Sequence, residues 1–265
     1  MSKVPAVTLV FWIIKIAATT LGETGGDTVT MTLDWGYLAG TILFLAVLIA
    51  LIGAQIRAPR FHPYLYWATI VASTTFGTTM ADFADRSLGI GYTGGSSLLL
   101  LGLLVVLGLW YWSERTISVS SVTTPKAEAF YWAAITLSQT LGTALGDWAA
   151  DTDQLGYGGG ALAFAGGLLV IVGLYYATSV SRVLLFWIAF ILTRPLGATV
   201  GDLLDKPLSD GGFALSRPIA SAVIAAFIVL CLLILPQRAG RHPRVFLTPS
   251  GCGVAGSSAS DRKTI

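Results

Sequence analysis

The sequence predicts an all-α, polytopic membrane protein with eight transmembrane helices, formed from four parallel two-helix repeats. The first observation is composition: of the 265 residues, 54% are hydrophobic and 11% are charged, whereas soluble domains have about 25% charged residues. The second observation is that one segment occurs four times, each time followed by another apolar run. So few charges cannot cover a water-exposed surface, and lipid is therefore the expected solvent for most of the chain.

The four copies of the segment align without a gap, over residues 11–28, 66–83, 131–148 and 186–203. Each copy begins with an aromatic residue and Trp, has Gly ten residues after that Trp, and has Asp five residues after that Gly. The three columns are Trp12, Trp67, Trp132 and Trp187; Gly22, Gly77, Gly142 and Gly197; and Asp27, Asp82, Asp147 and Asp202. Agreement at three uncommon positions in four segments indicates a true internal repeat.

Each repeat contains two apolar runs, and the second runs lie at about 38–56, 96–112, 161–180 and 214–235. Runs of about 17–22 residues can cross the ~30 Å hydrocarbon core as helices, so each repeat is predicted to be a helical hairpin. The predicted repeats are 5–57, 61–113, 126–180 and 181–236, in a single transmembrane domain over 5–236. The segment 237–265 is basic and then rich in Gly and Ser, which predicts a disordered cytoplasmic tail.

Charge in the loops predicts the orientation of the chain. The termini and the connections between repeats are basic, with Lys3, Arg57, Arg60, Arg115, Lys126, Arg182, Arg238, Arg241 and Arg244. The loops inside the hairpins are acidic, with Asp34, Asp85, Asp151, Asp153, Asp205 and Asp210. The positive-inside rule therefore predicts that both termini are cytoplasmic. Because each repeat has two spans, all four repeats point the same way, which indicates pseudo-rotation about the membrane normal.

These columns resemble those of a family of bacterial inner-membrane proteins that consist of four tandem repeats of unknown function. Each repeat of that family has two membrane spans and a signature Trp. The resemblance covers about residues 5–236 and rests on the Trp, Gly and Asp columns. It implies the eight-helix fold and a location in the cell inner membrane. It implies no activity, so the function has to be inferred from the residues.

Polar residues recur four positions apart in the first helix of each repeat, and residues at this spacing share one helix face. The four stripes are Lys15, Thr19, Glu23 and Asp27; Ile70, Thr74, Thr78 and Asp82; Ile135, Gln139, Thr143 and Asp147; and Phe190, Arg194, Ala198 and Asp202. Charged groups at membrane depth cost about 2.5–3.5 kcal/mol each. The stripes are therefore expected to converge on the bundle centre, with the first helices inside and the second helices outside. The Gly column predicts close helix packing.

Two interpretations of the Asp column remain open. Each Asp could order its hairpin turn by accepting backbone N–H bonds. Alternatively, the four could form a carboxylate ring at the mouth of a central pathway, where such rings attract cations. For the neighbouring Asp85, Asp151 and Asp205, a solvated loop is the expected setting.

The first functional hypothesis is a secondary transporter or exporter of a divalent cation, with Mn²⁺ favoured. Segment 23–28 is similar to the Glu-x-Gly-Asp-Lys-Thr motif of a family of manganese and calcium transporters, with an extra Gly and without the Lys. Carboxylates, hydroxyls and carbonyls are the ligands that hard divalent cations prefer. The predicted ion ligands are Glu23, Asp27, Asp82, Asp147 and Asp202. The predicted coupling and pathway residues are Lys15, Arg194, Thr19, Thr74, Thr78, Gln139 and Thr143.

Two other hypotheses compete: a small-anion transporter that uses Lys15 and Arg194, and a membrane scaffold that transports nothing. A neutralising pair or network among Lys15, Glu23 and Arg194 is a simpler alternative to a coupling role. The sequence has no nucleotide-binding loop, no Ser/His/Asp set and no His inside the apolar segments. It therefore predicts no enzyme, no cofactor and no nucleic-acid partner. The expected partners are the lipid bilayer and the transported ion, and the oligomeric state stays open.

Overall fold

A computed structural model describes residues 2–151 and 156–240, and within them every long element is an α-helix. The helices are α1 (Leu9–Asp27), α2 (Tyr37–Arg57), α3 (Pro63–Asp82), α4 (Tyr92–Glu114), α5 (Pro125–Asp151), α6 (Gly156–Ala177), α7 (Arg182–Asp205) and α8 (Arg217–Ile234). Short π-helical turns extend α1 and α3 at Thr28–Thr32 and Phe83–Ser87. The prediction of an all-α fold is confirmed, and each repeat supplies one pair of helices.

The first helices of the four repeats form a closed ring, which we call the central ring. In it α1 packs on α3 and α7, and α5 packs on the same two helices. The second helices lie outside, and each packs mainly on the first helix of the following repeat: α2 on α3, α4 on α5, α6 on α7, and α8 on α1. The prediction of first helices inside and second helices outside is confirmed. The cyclic order also confirms pseudo-rotation about a central axis.

The outer helices present their apolar side chains to the surroundings. In α2, α4, α6 and α8 only 11–17% of the most apolar segment is buried, against 61% in α7. These five helices are long and apolar enough to cross a membrane, so the chain is a multi-pass membrane protein. The other three helices of the central ring carry polar stripes, which lower their mean hydropathy.

The glycine column allows the ring helices to approach closely. Each column Gly faces the next repeat in the cycle: Gly22 contacts Thr74, Gly77 contacts Gln139, Gly142 contacts Arg194, and Gly197 contacts Thr19. A Cβ on Gly197 would lie 2.1 Å from Thr19 Oγ1. The predicted close packing is confirmed, and it repeats around the axis because every contact is made by equivalent positions.

One end of the central ring is filled with aromatic side chains, and we call it the aromatic end. The column before each Trp is buried at this end, and it consists of Phe11, Tyr66, Tyr131 and Phe186. Phe11 lies 5.5 Å from Trp67, Tyr66 lies 5.7 Å from Trp132, and Phe186 lies 5.7 Å from Trp12, measured between ring centroids. These layers close the bundle axis at this end.

The two ends of the described chain meet beside the aromatic end. The Ala6 N–H donates to the Arg238 carbonyl at 2.8 Å, and the Gly240 N–H donates to the Val4 carbonyl at 2.8 Å. Residues 238–240, which belong to the segment predicted to be a tail, are therefore fixed to the N-terminal segment by backbone hydrogen bonds. Residues 241–265 lie outside the described part of the chain.

Candidate cation site

The four polar stripes converge on the axis of the central ring. All sixteen stripe residues are buried, none with more than 5% of its surface exposed. They stack in four layers of four, with one residue from each repeat in a layer. Layers are about 6 Å apart because four residues of helix rise 6 Å. Every predicted ion ligand, coupling residue and pathway residue thus lies on this axis, as the cost of polar groups in lipid requires.

The end of the axis farthest from the aromatic end is lined by carboxylates. Oxygens of Glu23, Asp147 and Asp202 lie within 4.8 Å of one another, and so do oxygens of Asp27, Asp202 and Asp205. Together with Asp82, these five residues form what we call the carboxylate cluster. Asp202 belongs to both groups of three. The cluster lies at or near the C-terminal ends of the ring helices, where the helix dipoles are negative and favour cations.

Asp205 corrects the expectation of a solvated loop. It is the last residue of α7 and only 8% of its surface is exposed. The reason is that α7 continues for almost one turn beyond Asp202, so that Asp205 points to the same side as Asp202. The three-residue spacing of Asp202 and Asp205 could have predicted from the sequence that both lie on one side of the helix. Asp85, in the π-helical turn after α3, is partly exposed, and burial raises the pKa of its carboxyl group.

Three basic residues that the sequence analysis missed face the cluster. Lys206 Nζ lies 3.0 Å from Asp202 Oδ1 and 3.2 Å from Asp27 Oδ2. Arg217 Nε lies 2.8 Å from Asp205 Oδ2, and Arg86 Nε lies 2.9 Å from Asp82 Oδ1. Lys206 and Arg86 each follow a column Asp by four residues, the spacing of an intrahelical ion pair. That spacing could have revealed Lys206 and Arg86 in the sequence.

The charge state of Lys206 follows from its neighbours. Burial acts to lower the pKa of its ammonium group, but Asp202, Asp27 and Asp205 outweigh burial and raise the pKa above its usual value. A raised pKa means that the charged form is favoured by folding. The resulting stabilisation is present at neutral pH and is lost only under alkaline conditions. Lys206 is therefore a resident cation of the cluster.

Negative charge is in excess at the cluster. Its six carboxylates face four basic side chains, Arg86, Arg194, Lys206 and Arg217. In the part of the chain that the structure describes, no basic group lies within ion-pair distance of Asp147. Four buried oxygens of the cluster also lack a hydrogen-bond partner there, namely Asp27 Oδ1, Asp82 Oδ2, Asp202 Oδ1 and Asp205 Oδ1. Of these, Asp202 Oδ1 still lies within ion-pair distance of Lys206. Unpaired buried charge is strongly unfavourable, so the cluster requires further cations or protons.

Arg194 neutralises Glu23, which lies one layer nearer the aromatic end than the Asp column. Its Nη2 lies 2.9 Å from Glu23 Oε2, and its guanidinium also donates to the carbonyl oxygens of Thr19 and Thr74. Lys15 is not part of this network, because it lies two layers away on α1. Its Nζ donates to Gln139 Oε1 at 3.3 Å and stands 4.2 Å from the centroid of the Phe190 ring. The neutralising interaction is therefore a pair of Glu23 and Arg194, and Lys15 lies outside it.

The position of the Asp column bears on its two interpretations. Neither Asp27 nor Asp82 accepts a capping hydrogen bond from the π-helical turn that follows it. The four column carboxylates are only 1–5% exposed, so the ring is enclosed in this structure, and its place at the mouth of a central pathway stays a prediction. The ring is enclosed because Lys206, at the start of the α7–α8 loop, points into it and ion-pairs with two of its members.

Comparison with known proteins bears on the repeat. A search of curated proteins and a search of solved structures each found no match. The family described as Repeat of Unknown Function (DUF347) matches residues 10–61, 65–116, 130–181 and 185–238. Each matched segment contains one Trp, one Gly and one Asp of the columns and both helices of a repeat. The chain therefore belongs to the DUF347 repeat family, with four tandem copies.

Proposed function

We propose that this protein is a secondary transporter or exporter of a divalent cation, with Mn²⁺ the favoured ion, and that it has no enzymatic activity. One observation carries the proposal: Asp147 is buried without a basic partner among the described residues, and its carboxylate lies within 4.8 Å of those of Glu23 and Asp202. A cation at this position would supply the missing positive charge.

The spacing of these three carboxylates suits one hard cation. Oxygen ligands bind Ca²⁺ at about 2.3–2.6 Å and Mg²⁺ at about 2.0–2.1 Å, so two ligands of one ion stand at most about 4–5 Å apart. The three oxygens meet this limit. Carboxylates also suit Mn²⁺. Mg²⁺ usually keeps several waters, for which an enclosed cluster has little room, and this consideration favours the larger ions.

The packing of the axis favours a carrier over an open channel. The glycine contacts and the aromatic end close the axis on one side of the cluster, and Lys206 lies on the other side. An ion held there would need a change in helix packing to leave, which is the behaviour of alternating access. In this proposal the helices α1, α3 and α5 cross the membrane beside their equivalent α7. The result is eight spans in the cell inner membrane, with both termini cytoplasmic.

The two alternatives have less support. An anion transporter would need basic groups that are not paired with carboxylates. Arg194 is paired with Glu23, so in the described chain the axis offers an anion only Lys15, which is bonded to the neutral amide of Gln139. A scaffold without a bound cation would need protons to compensate the excess negative charge of the carboxylate cluster.

The test is ion flux in proteoliposomes, with Mn²⁺, Mg²⁺ and Ca²⁺ each supplied under a pH gradient and under a voltage. We expect Asp147→Asn to lower Mn²⁺ flux by about 10–100-fold, at least the loss typical of a group that supports a metal ligand. The matched control is Asp34→Asn. Asp34 is exposed, and its φ of 57° lies in the left-handed region that Asn adopts readily. The control should keep wild-type flux.

Wild-type flux in a folded Asp147→Asn variant would contradict the carboxylate site. An absence of flux with all three cations would contradict cation transport. In that case anion flux that depends on Lys15 and Arg194 would support the first alternative, and no flux of either kind would support the scaffold.

A further inference from the structure

The position four residues after each column Asp differs between repeats. It is occupied by Met31, Arg86, Asp151 and Lys206 in repeats one to four. Only the second and fourth repeats, which face each other across the ring, carry a basic residue. The side chain of Arg86 is 38% exposed, whereas that of Lys206 is 11% exposed. The Lys206 side chain is thus mostly buried within the carboxylate cluster, and the Arg86 side chain lies at the edge of the cluster.

Lys206 links repeat four to repeat one, whose contact closes the ring. Its ammonium lies between Asp27 of repeat one and Asp202 of repeat four, at 3.2 Å and 3.0 Å. Asp205 completes the same group of three carboxylates. Asp27 Oδ1 remains buried without a hydrogen-bond partner in the described chain. The ammonium therefore occupies a position where the arrangement of oxygens suits a metal cation.

Backbone contacts hold Lys206 in this position. The Ala214 N–H donates to the Lys206 carbonyl at 2.9 Å, and the Phe213 N–H donates to the Leu203 carbonyl at 2.8 Å. Gly212 packs so tightly on this turn that an added Cβ would lie 2.1 Å from the Lys206 carbonyl oxygen. The α7–α8 loop thus places the ammonium group in the cluster.

We propose that Lys206 is a tethered cation, whose ammonium group shields Asp27 and Asp202 and leaves them when the transported cation binds. The inference rests on the proposed function, and it deepens that function by assigning a residue that sets the affinity of the site. Competition follows from geometry, because Asp202 belongs both to the group that holds Lys206 and to the group of Glu23 and Asp147. A divalent ion bound to Glu23, Asp147 and Asp202 weakens the ion pair between Asp202 and the Lys206 ammonium.

The binding test compares Lys206→Met with Arg86→Met, the same position in repeat two. The form that binds the ion is the one in which the Lys206 ammonium has left Asp27 and Asp202. If this form makes up about 10% or less of the protein, removing the ammonium lowers the Mn²⁺ concentration at half-saturation about ten-fold or more. Arg86→Met should have a smaller effect because Arg86 is at the edge of the cluster. The exposed Lys126, with 64% of its side chain accessible, provides Lys126→Met as the control without effect. An unchanged half-saturation in Lys206→Met would overturn the inference.

A second readout needs no metal and no transport. In protein without divalent ions, a water-soluble carbodiimide labels accessible carboxyl groups, and mass spectrometry locates the label. We expect Lys206→Met to raise labelling at Asp27 and Asp202, while Lys206→Arg, which keeps the charge, leaves it low. Equal labelling of Lys206→Met and wild type would overturn the inference. Increased labelling together with an absence of cation binding and flux would contradict the proposed function alone and leave the shielding role of Lys206 in place.

Discussion

The two ends of the central ring are made by the same four helices, but they are held together by different interactions. At the aromatic end all four repeats supply Phe or Tyr to a packed layer. At the other end all four supply Asp, and among the described residues the basic side chains that pair with the cluster come only from repeats two and four. Apolar layers repeat easily around an axis because packing needs only similar shapes. Four equal charges repel one another, so the charged end is asymmetric.

This difference separates architecture from function. The Trp, aromatic and Gly positions are alike in every repeat and account for the closure of the ring. Glu23, Arg194 and Lys206 are charged residues whose positions differ between repeats, and they lie on the axis or at the carboxylate cluster. Changes in the carboxylate cluster therefore test function, and changes in the Gly and aromatic columns test the packing of the ring.

The largest expected effect is on the pair of Glu23 and Arg194. Arg194→Met leaves the Glu23 carboxylate buried beside other acids, and breaking a buried pair in this way costs about 3–5 kcal/mol. We expect this loss in the free energy of unfolding measured in mixed detergent micelles. The double variant Glu23→Gln/Arg194→Met should recover most of it, because no unpaired charge remains. A single variant as stable as wild type would show that charge pairing does not hold this end together.

An intermediate effect is expected in the glycine layer between the two ends. Gly197→Ala forces a methyl group against Thr19 and should lower the free energy of unfolding by about 1–3 kcal/mol, as overpacking does. Gly173 in α6 has no atom within 4 Å of an added Cβ, so Gly173→Ala should stabilise its helix by about 0.5–1 kcal/mol. A lower free energy of unfolding in Gly197→Ala and a higher one in Gly173→Ala would support close packing of the ring. Equal effects at the two glycines would contradict it.

The smallest effect is expected at the aromatic end. The hydroxyl groups of Tyr66 and Tyr131 are 2.6 Å apart, and Tyr66→Phe should lower the free energy of unfolding by about 0.5–1.5 kcal/mol. Because one hydrogen bond is shared, the double variant with Tyr131→Phe should cost little more than either single variant. Cation flux should be unchanged in both. Tyr64→Phe, at a residue with 55% exposure, is the control. A flux defect in Tyr66→Phe would place this end in the transport path.

The fold was largely predictable, because in lipid the polar stripe of a helix has only the protein interior to face. The stripe from Lys15 to Asp27 and its three equivalents therefore predicted the central ring and its axis. The order of packing was not predictable. Each second helix packs on the first helix of the next repeat, and helical periodicity specifies only which face is apolar, not which neighbour covers it.

The sequence by itself determined the repeat, the helical hairpins and the residues on the axis, because spacing along a helix dictates which side chains share a face. The tertiary structure alone decided that Arg217 pairs with Asp205, that Lys206 bridges Asp27 and Asp202, and that Lys15 lies apart from Glu23. Lys206 and Arg217 flank the α7–α8 loop, whose path depends on backbone hydrogen bonds and a tight turn at Gly212. Charges from separate repeats can be paired only once the ring has closed.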